Sequence, residues 1–283
     1  MNAQKIAILV DSGTDVPQEL VAEYGMYMIP LKIIYKDHVY TDKVDITPEE
    51  VYERLPQEIP STSLPDGETI TKIFEQIKAD GYEKVLAVTI SSGLSGTFNV
   101  VRLLGEQFES LETYTLDTKN IGIGSGLQAI YAAQLLEKGA SWDKLIATLT
   151  ERVGDSKVFF SVPTLEYLQK GGRIGLVASL LGNALKLNPI ISCNTEGIYH
   201  TVAKARGRKK SLDKMVQLVA EFIGDSQDFV LAVAHGHAEA EAKEIAEQLK
   251  KQYPGRKIYF GPISPALVVH TGPGLIGIGI EKF

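Results

Sequence analysis

Cysteine is nearly missing from this chain: Cys193 stands alone in 283 residues. One thiol cannot form an intramolecular disulfide or a cysteine-built metal site, so a reducing compartment is expected. Its setting, PIISCNT, reads as a strand and predicts a buried structural thiol, not a nucleophile. Long apolar runs are missing too, since no window approaches the roughly 20 apolar residues of a membrane span. The opening MNAQKIAILVDSG carries an apolar run of about five residues that ends in aspartate, which is not a signal-peptide plan. The expectation is a soluble, cytoplasmic protein. An excess of basic charge is also absent. With 29 Lys and Arg against 35 Asp and Glu, the formal net charge is −6, which argues against a nucleic-acid binder. KARGRKK, Lys204 to Lys210, is a basic cluster on that acidic background, and solvation of a helix start is its plainest reading.

The signatures of several common enzyme sites are absent as well. The P-loop requires a Gly-Lys pair, and the chain has none. The nucleophile elbow requires G-x-S-x-G, whereas Gly93-Leu94-Ser95-Gly96-Thr97 has its glycine at the wrong offset. HTGPGLIG holds a literal G-x-G-x-x-G at Gly272, Gly274 and Gly277, but the sequence to Phe283 is too short for the helix and acidic residue of a dinucleotide site. Those glycines are expected to serve tight turns or close backbone approach. His235-Gly236-His237 offers two imidazoles with no acidic partner at metal-ligand spacing, so no metal is expected.

What is present is an α/β pattern, in which short apolar runs alternate with amphipathic stretches. KIAILV, MYMIPLKIIY (broken by Pro30), KVLAVTI and TYTLDT read as strands of a parallel sheet in the first half. TPEEVYERL starts a helix with Thr47 as N-cap, Pro48 in the first turn and Glu50 completing a capping box. Past about residue 155 the pattern changes to KVFFSV, PIISCNT, GIYHTVAK, FVLAVAH, KIYFG and LIGIGIEKF with two helices, a mixed sheet. Glu196-Gly197 is expected to be a hairpin turn between the second and third of these.

Three stretches carry candidate chemistry. VTISSGLSGTFN runs from a buried strand through Ser91, Ser92 and Ser95 into a helix, where unpaired amides and the helix dipole favour an anion. N-capping by Ser95 accounts for one serine and leaves the others unexplained. STSLPDGE, Ser61 to Glu68, is a second hydroxyl cluster ahead of a helix, and capping there would occupy one or two hydroxyls. YLQKGGRIGLVASLLGNALKL places Arg173 before a nearly all-apolar helix, which is expected to be buried or to line an apolar cavity. An arginine at such a mouth suits an oxyanion. His270, before the last glycines, is read equally as a ligand donor or a satisfied core histidine. Together these point to an amphiphile with an acidic head.

ILVDSGTDVP, STSLPDGE, TISSGLSGTFN, YLQKGGRIG, PIISCNTEGIYHTVAKARGRKK and VVHTGPGLIGIG resemble, in order, the signature segments of the DegV family. The likeness spans essentially the whole chain. It implies a two-domain α/β protein, with a parallel-sheet three-layer α/β/α domain over 1–155 and a two-layer α/β domain with a mixed sheet over 156–283. A long-chain, palmitate-like fatty acid would lie in a buried apolar tunnel between them. The resemblance implies a bacterial carrier and not an enzyme: the binding subunit of a fatty acid kinase, which presents the carboxyl to a separate ATP-dependent subunit and serves phospholipid metabolism. It implies no cofactor beyond the bound fatty acid, no metal, no nucleic acid, and at most transient membrane contact. Carried over by position, the carboxylate-binding residues are Thr62, Ser95 with Ser92 as its neighbouring alternative, and His270. Arg173 and Arg206 would contact the head group or the docked kinase. Leu64 stands where the family usually has glutamine, which removes a polar side chain beside Thr62. The alternative is a small-molecule kinase or hydrolase using the Ser/Gly turns for phosphate.

Overall fold

The computed structural model describes residues 2–180 and 187–283. Among the described residues thirteen strands, in chain order, are β1 (Ile6–Asp11), β2 (Tyr27–Ile29), β3 (Lys32–Ile34), β4 (Val39–Thr41), β5 (Ser61–Ser63), β6 (Lys84–Thr89), β7 (Glu112–Asp117), β8 (Ser156–Ser161), β9 (Leu187–Cys193), β10 (Tyr199–Arg206), β11 (Phe229–His235), β12 (Ile258–Pro262) and β13 (Ile276–Lys282). They form a parallel sheet in the order β2-β1-β6-β7, a mixed sheet in the order β10-β9-β8-β13-β11-β12, and a small antiparallel sheet in the order β4-β3-β5.

The alternation of apolar residues stacks these sheets. In β1, Ala7 and Leu9 face helices Gly67–Ala79 and Thr97–Gln107, packing with Ile70, Phe74 and Val101. Ile6, Ile8 and Val10 face the opposite way, toward helix Ile123–Glu137. Burial on both faces is what a parallel sheet requires, and it explains the unbroken run IAILV. Helix Ile123–Glu137 is shared: it also packs on the mixed sheet, against β8, β11 and β13. It is buried around most of its circumference, as expected of a helix with no polar stripe. On the far side of the mixed sheet, Phe159, Leu231, Val233, Ile276, Ile278 and Ile280 pack against helices Arg208–Ile223 and Glu239–Gln252. The glycines of IGIGI take the other face. A methyl group on Gly279 would lie 3.1 Å from Ile123 Cγ2 and 3.3 Å from Leu127 Cδ1, so the bare backbone lets the shared helix sit close.

Several expectations need correction. Pro30 does not merely interrupt MYMIPLKIIY. It sends the two halves into different sheets, with β2 beside β1 and β3 between β4 and β5. The small sheet has no counterpart in the sequence reading, because its strands are three residues long. The β9–β10 connection is longer than a two-residue hairpin. Cys193 pairs with Tyr199, and Asn194 Oδ1 accepts from the amides of Glu196 (3.0 Å) and Ile198 (2.9 Å). The capping box at Thr47 is present in full. The long apolar helix expected after Arg173 is, within the described residues, a short 3-10 helix over Gly175–Leu180, with Leu176 60% exposed. The rest of that stretch lies outside the described residues.

Candidate functional site

The three serines of the Val88–Asn99 turn go to three different places. Ser91 is fully buried; its Oγ donates to the Gly197 carbonyl (2.9 Å) and accepts from the Gly93 amide (3.0 Å). It bolts this turn to the β9–β10 loop, and Gly197, at φ 77°, leaves the space its hydroxyl needs. Ser92 turns toward an ion pair: its Oγ accepts from Lys119 Nζ (3.2 Å), and Lys119 lies 2.7 Å from Asp117. Ser95 lines a cavity. Gly96, not Ser95, is the N-cap of helix Thr97–Gln107, yet Ser95 Oγ still accepts from the Thr97 amide (3.3 Å) and bonds Thr97 Oγ1 (2.8 Å).

Thr62 reaches the same cavity from the edge strand β5. Capping of the next helix is done by Asp66, which accepts from the Thr69 amide at 2.7 Å and leaves Ser61, Thr62 and Ser63 free of that duty. Thr62 Oγ1 lies 2.8 Å from His270 Nε2. His270 sits in the last turn of helix Pro265–Thr271, an element the sequence reading missed although Ser264-Pro265 is a ready start signal. Its Nδ1 is buried without a partner. The ring rests on Gly171, where a Cβ would collide with Nδ1; the first glycine of KGGR is therefore a packing requirement. Burial, reinforced by the Arg173 charge, pushes the His270 imidazole down to about 3, so it is neutral at pH 7. Arg173 closes the rim, donating from Nη1 to the Gly171 carbonyl (2.9 Å) and from Nε to the Leu94 carbonyl (3.4 Å).

Thr62, Ser95, Arg173 and His270 thus line one cavity of about 210 Å³, whose remaining walls include Leu31, Ile90, Leu94, Ile121, Tyr199 and Leu267. Ser92 and Arg206 do not line it; Arg206 is exposed at the end of β10. The cavity is not isolated. It shares Ile121, Tyr199, Leu267 and Thr271 with a narrow space of about 30 Å³, flanked by Phe160, Leu275 and Gly277. That space in turn shares Asp15, Ile123, Ala234 and Ile263 with a third cavity of about 400 Å³. The result is a row of three adjoining cavities between the parallel and mixed sheets, with hydroxyls, an imidazole and a guanidinium on the first. Helix Pro265–Thr271 lines its whole length. The Asp42 carboxylate positions that helix by accepting from the Ala266 amide (3.0 Å) in its first turn. The tunnel-wall residues carry no motif of their own, so only the topology reveals them.

Cys193 is buried on β9, and burial pushes its thiol up to about 12. His237 stacks on Tyr52 at 5.2 Å, and among the described residues no three His, Cys, Asp or Glu side chains are grouped to hold a metal ion. No helix among them is long and apolar enough to cross a membrane.

The sequence model of the DegV family matches residues 5–282. This chain belongs to the DegV family. A DegV domain-containing protein of Clostridium perfringens is 40% identical to it over 279 residues, 99% of each chain. The solved DegV family structure from Thermus thermophilus, described for its fatty acid binding, superposes with a TM-score of 0.92 at 28% identity, covering 100% of both chains. A stearic acid-binding protein of Eubacterium ventriosum gives a TM-score of 0.90 at 26% identity over 98% of each chain. The two-sheet DegV architecture, with its parallel and mixed sheets, is therefore common to proteins whose structures are described with fatty acids.

Proposed function

We propose that this DegV protein binds a long-chain fatty acid in the passage between its two sheets, with the carboxylate at Thr62, Ser95, Arg173 and His270. The observation that carries this reading is the grouping of two hydroxyls, an imidazole and a guanidinium on one cavity whose remaining walls include Leu31, Ile90, Leu94, Ile121 and Leu267. The fatty acids described with its relatives support it. At about 0.8 kcal/mol per buried CH₂ the tail supplies most of the affinity. The head-group contacts then fix orientation, since a charge-assisted hydrogen bond is worth about 1.5–3 kcal/mol. On this reading the division falls at residue 155, with the ligand between domains 1–155 and 156–283.

The finer reading is that of a cytoplasmic carrier without catalysis of its own, presenting the carboxylate to a separate ATP-dependent kinase that forms the acyl phosphate. Arg173 at the cavity rim and the exposed Arg206 suit the head group or that partner. The test is mass spectrometry of the lipid released on denaturing the purified protein, together with binding of added palmitate or oleate. A long-chain acid in the extract is expected. Its repeated absence with no binding of either added acid overturns the reading, and turnover of ATP or a phosphoester by the chain alone supports the enzyme alternative.

A further inference from the structure

The far cavity is larger than the near one, about 400 Å³, and its walls are not uniformly apolar. Asp15 lines it at 7% exposure. One carboxylate oxygen, Oδ1, accepts from the Ser264 amide (2.9 Å) and lies 3.4 Å from Lys43 Nζ; the other, Oδ2, is buried with no partner. Ser264 also lines the cavity and occupies the N-cap position of helix Pro265–Thr271. At that position a serine hydroxyl ordinarily caps. Here it makes no capping bond and is buried beside the Asp15 carboxyl at 1% residue exposure, without a hydrogen bond of good geometry. The Tyr259 hydroxyl, on the same wall, is likewise buried without a partner. Buried polar atoms are nearly always paired, because an unmade hydrogen bond costs more than a made one gains. Three such atoms around one cavity are a set of donors and acceptors that the methyl end of an ordinary fatty acid does not use.

We propose that the far cavity is a subsite for a hydrogen-bonding group at the distal end of the ligand, so that the ligand class includes long-chain acids hydroxylated at or next to the ω carbon. The inference rests on the fatty-acid reading given above. A hydroxyl fits this set because it donates and accepts at once. It can donate to Asp15 Oδ2 while accepting from Ser264 or Tyr259. Burial raises the Asp15 carboxyl above its ordinary range, and Lys43 with the amide and hydroxyl of Ser264 acts against that rise. Either protonation state serves a hydroxyl, as the ionised form accepts from it and the neutral form donates to it. A second carboxylate fits worse, since it would face the Asp15 carboxyl with Lys43 already engaged.

The test uses the full-length, delipidated protein and calorimetric titration with saturated acids and their ω-hydroxy counterparts of about 12 to 20 carbons, a range over which buried CH₂ count changes affinity strongly. A tunnel with an apolar end penalises the ω-hydroxyl by about 10- to 100-fold at every length. The expected result is that penalty at short lengths, shrinking to about threefold or less, or reversing, at the length where the hydroxyl reaches Asp15. The α,ω-dicarboxylic acid of that length should bind more weakly than the hydroxy acid. Ser264→Ala combined with Tyr259→Phe removes two hydroxyls, and because Ser264 makes no capping bond the helix start loses none. It should restore a penalty of about 10-fold there while the plain acid binds as before. Plain acids that bind while the hydroxyl is penalised fully at every length overturn this inference alone, as does a double variant with an unchanged ratio. Failure of every plain acid to bind overturns the fatty-acid reading and this inference with it.

Discussion

The two ends of the passage differ in the polar groups that line them. At the near end Thr62 pairs with His270, Ser95 with Thr97 and Arg173 with two backbone carbonyls, while His270 Nδ1 is buried without a partner. Its titratable side chain is a base that burial and Arg173 hold neutral. At the far end Asp15 lines the wall with Lys43, Ser264 and Tyr259, and its Oδ2 has no partner. Two further buried acids lie behind the near cavity, where burial raises Asp11 to about 7 and Asp42 to about 6. The near end is pre-organised, so a carboxylate arriving there meets donors already in place and little reorganisation is needed. The three buried acids keep the ends of the first strand and of helix Pro265–Thr271 in register: Asp11 accepts from the Gly13 and Ile90 amides, Asp15 from Ser264 and Asp42 from Ala266. On the proposed reading the near end receives the carboxylate, while the far end joins a distal subsite to a carboxyl, Asp15, that also holds the start of helix Pro265–Thr271.

Severing the ends from each other should give the largest effect. Ala234 lines both the narrow space and the far cavity. Ala234→Leu fills the junction, and each methylene it excludes forfeits about 0.8 kcal/mol, so loss of about five costs about 4 kcal/mol of palmitate affinity. Acids short enough to stop before the junction should bind unchanged in the same titration. Equal losses for short and long acids would show that the tail does not cross it.

A second comparison separates the buried base from a buried acid by pH. His270 has a folded value below its unfolded value of 6.5, so the unfolded chain takes the proton first as pH falls. Its contribution is complete above about pH 6.5 and is lost as pH drops toward about 3. Asp42 runs the other way, because its folded value lies above 3.8. The folded state keeps that proton longer, so the contribution is present below about pH 4 and is lost as pH rises through about 6. Over their full ranges the terms are at most about 5 kcal/mol for His270 and about 3 kcal/mol for Asp42. Thermal unfolding between pH 4 and 7 should therefore show His270→Gln with a smaller loss on acidification than the parent protein. Asp42→Asn should show a smaller loss toward neutrality. Slopes, not absolute melting temperatures, make the comparison, since both variants also lose a hydrogen bond.

The contrast between the ends also marks what the sequence could reveal. The near end was legible because hydroxyls, arginine and histidine sit in short turns rich in glycine, where local chemistry and position coincide. Which serine faces the ligand was not legible. Ser91, Ser92 and Ser95 are alike in sequence, and only the contacts with Gly197, Lys119 and the cavity tell them apart. The parallel and mixed sheets follow from runs such as IAILV and IGIGI, but the small sheet does not, because three-residue strands carry no usable periodicity. The passage itself is the product of pairing distant elements, Ile121 with Tyr199 and Ile123 with Ala234, and no local pattern encodes it. Arg173 was placed at the mouth of an apolar helix. It does stand at a mouth, but the apolar walls there come from Ile90, Ile121 and Leu267.

The smallest of these effects tests the near end alone. Thr62→Ala and Ser95→Ala each remove one hydroxyl from the carboxylate position, and each should weaken acid binding by about 1.5–3 kcal/mol, roughly 10- to 150-fold. Neither should unfold the protein, since Thr62 keeps its backbone pairing with Ile33 and the helix after Ser95 has Gly96 as its N-cap. The methyl ester of the same fatty acid supplies the control. It lacks the charge that strengthens these bonds, so the hydroxyl deletions should cost it about 1 kcal/mol or less. Variants that lose the acid and the ester equally would mean the two hydroxyls shape the cavity without holding the carboxylate. Retention of the acid by the Thr62→Ala, Ser95→Ala double variant would place the head group elsewhere in the passage.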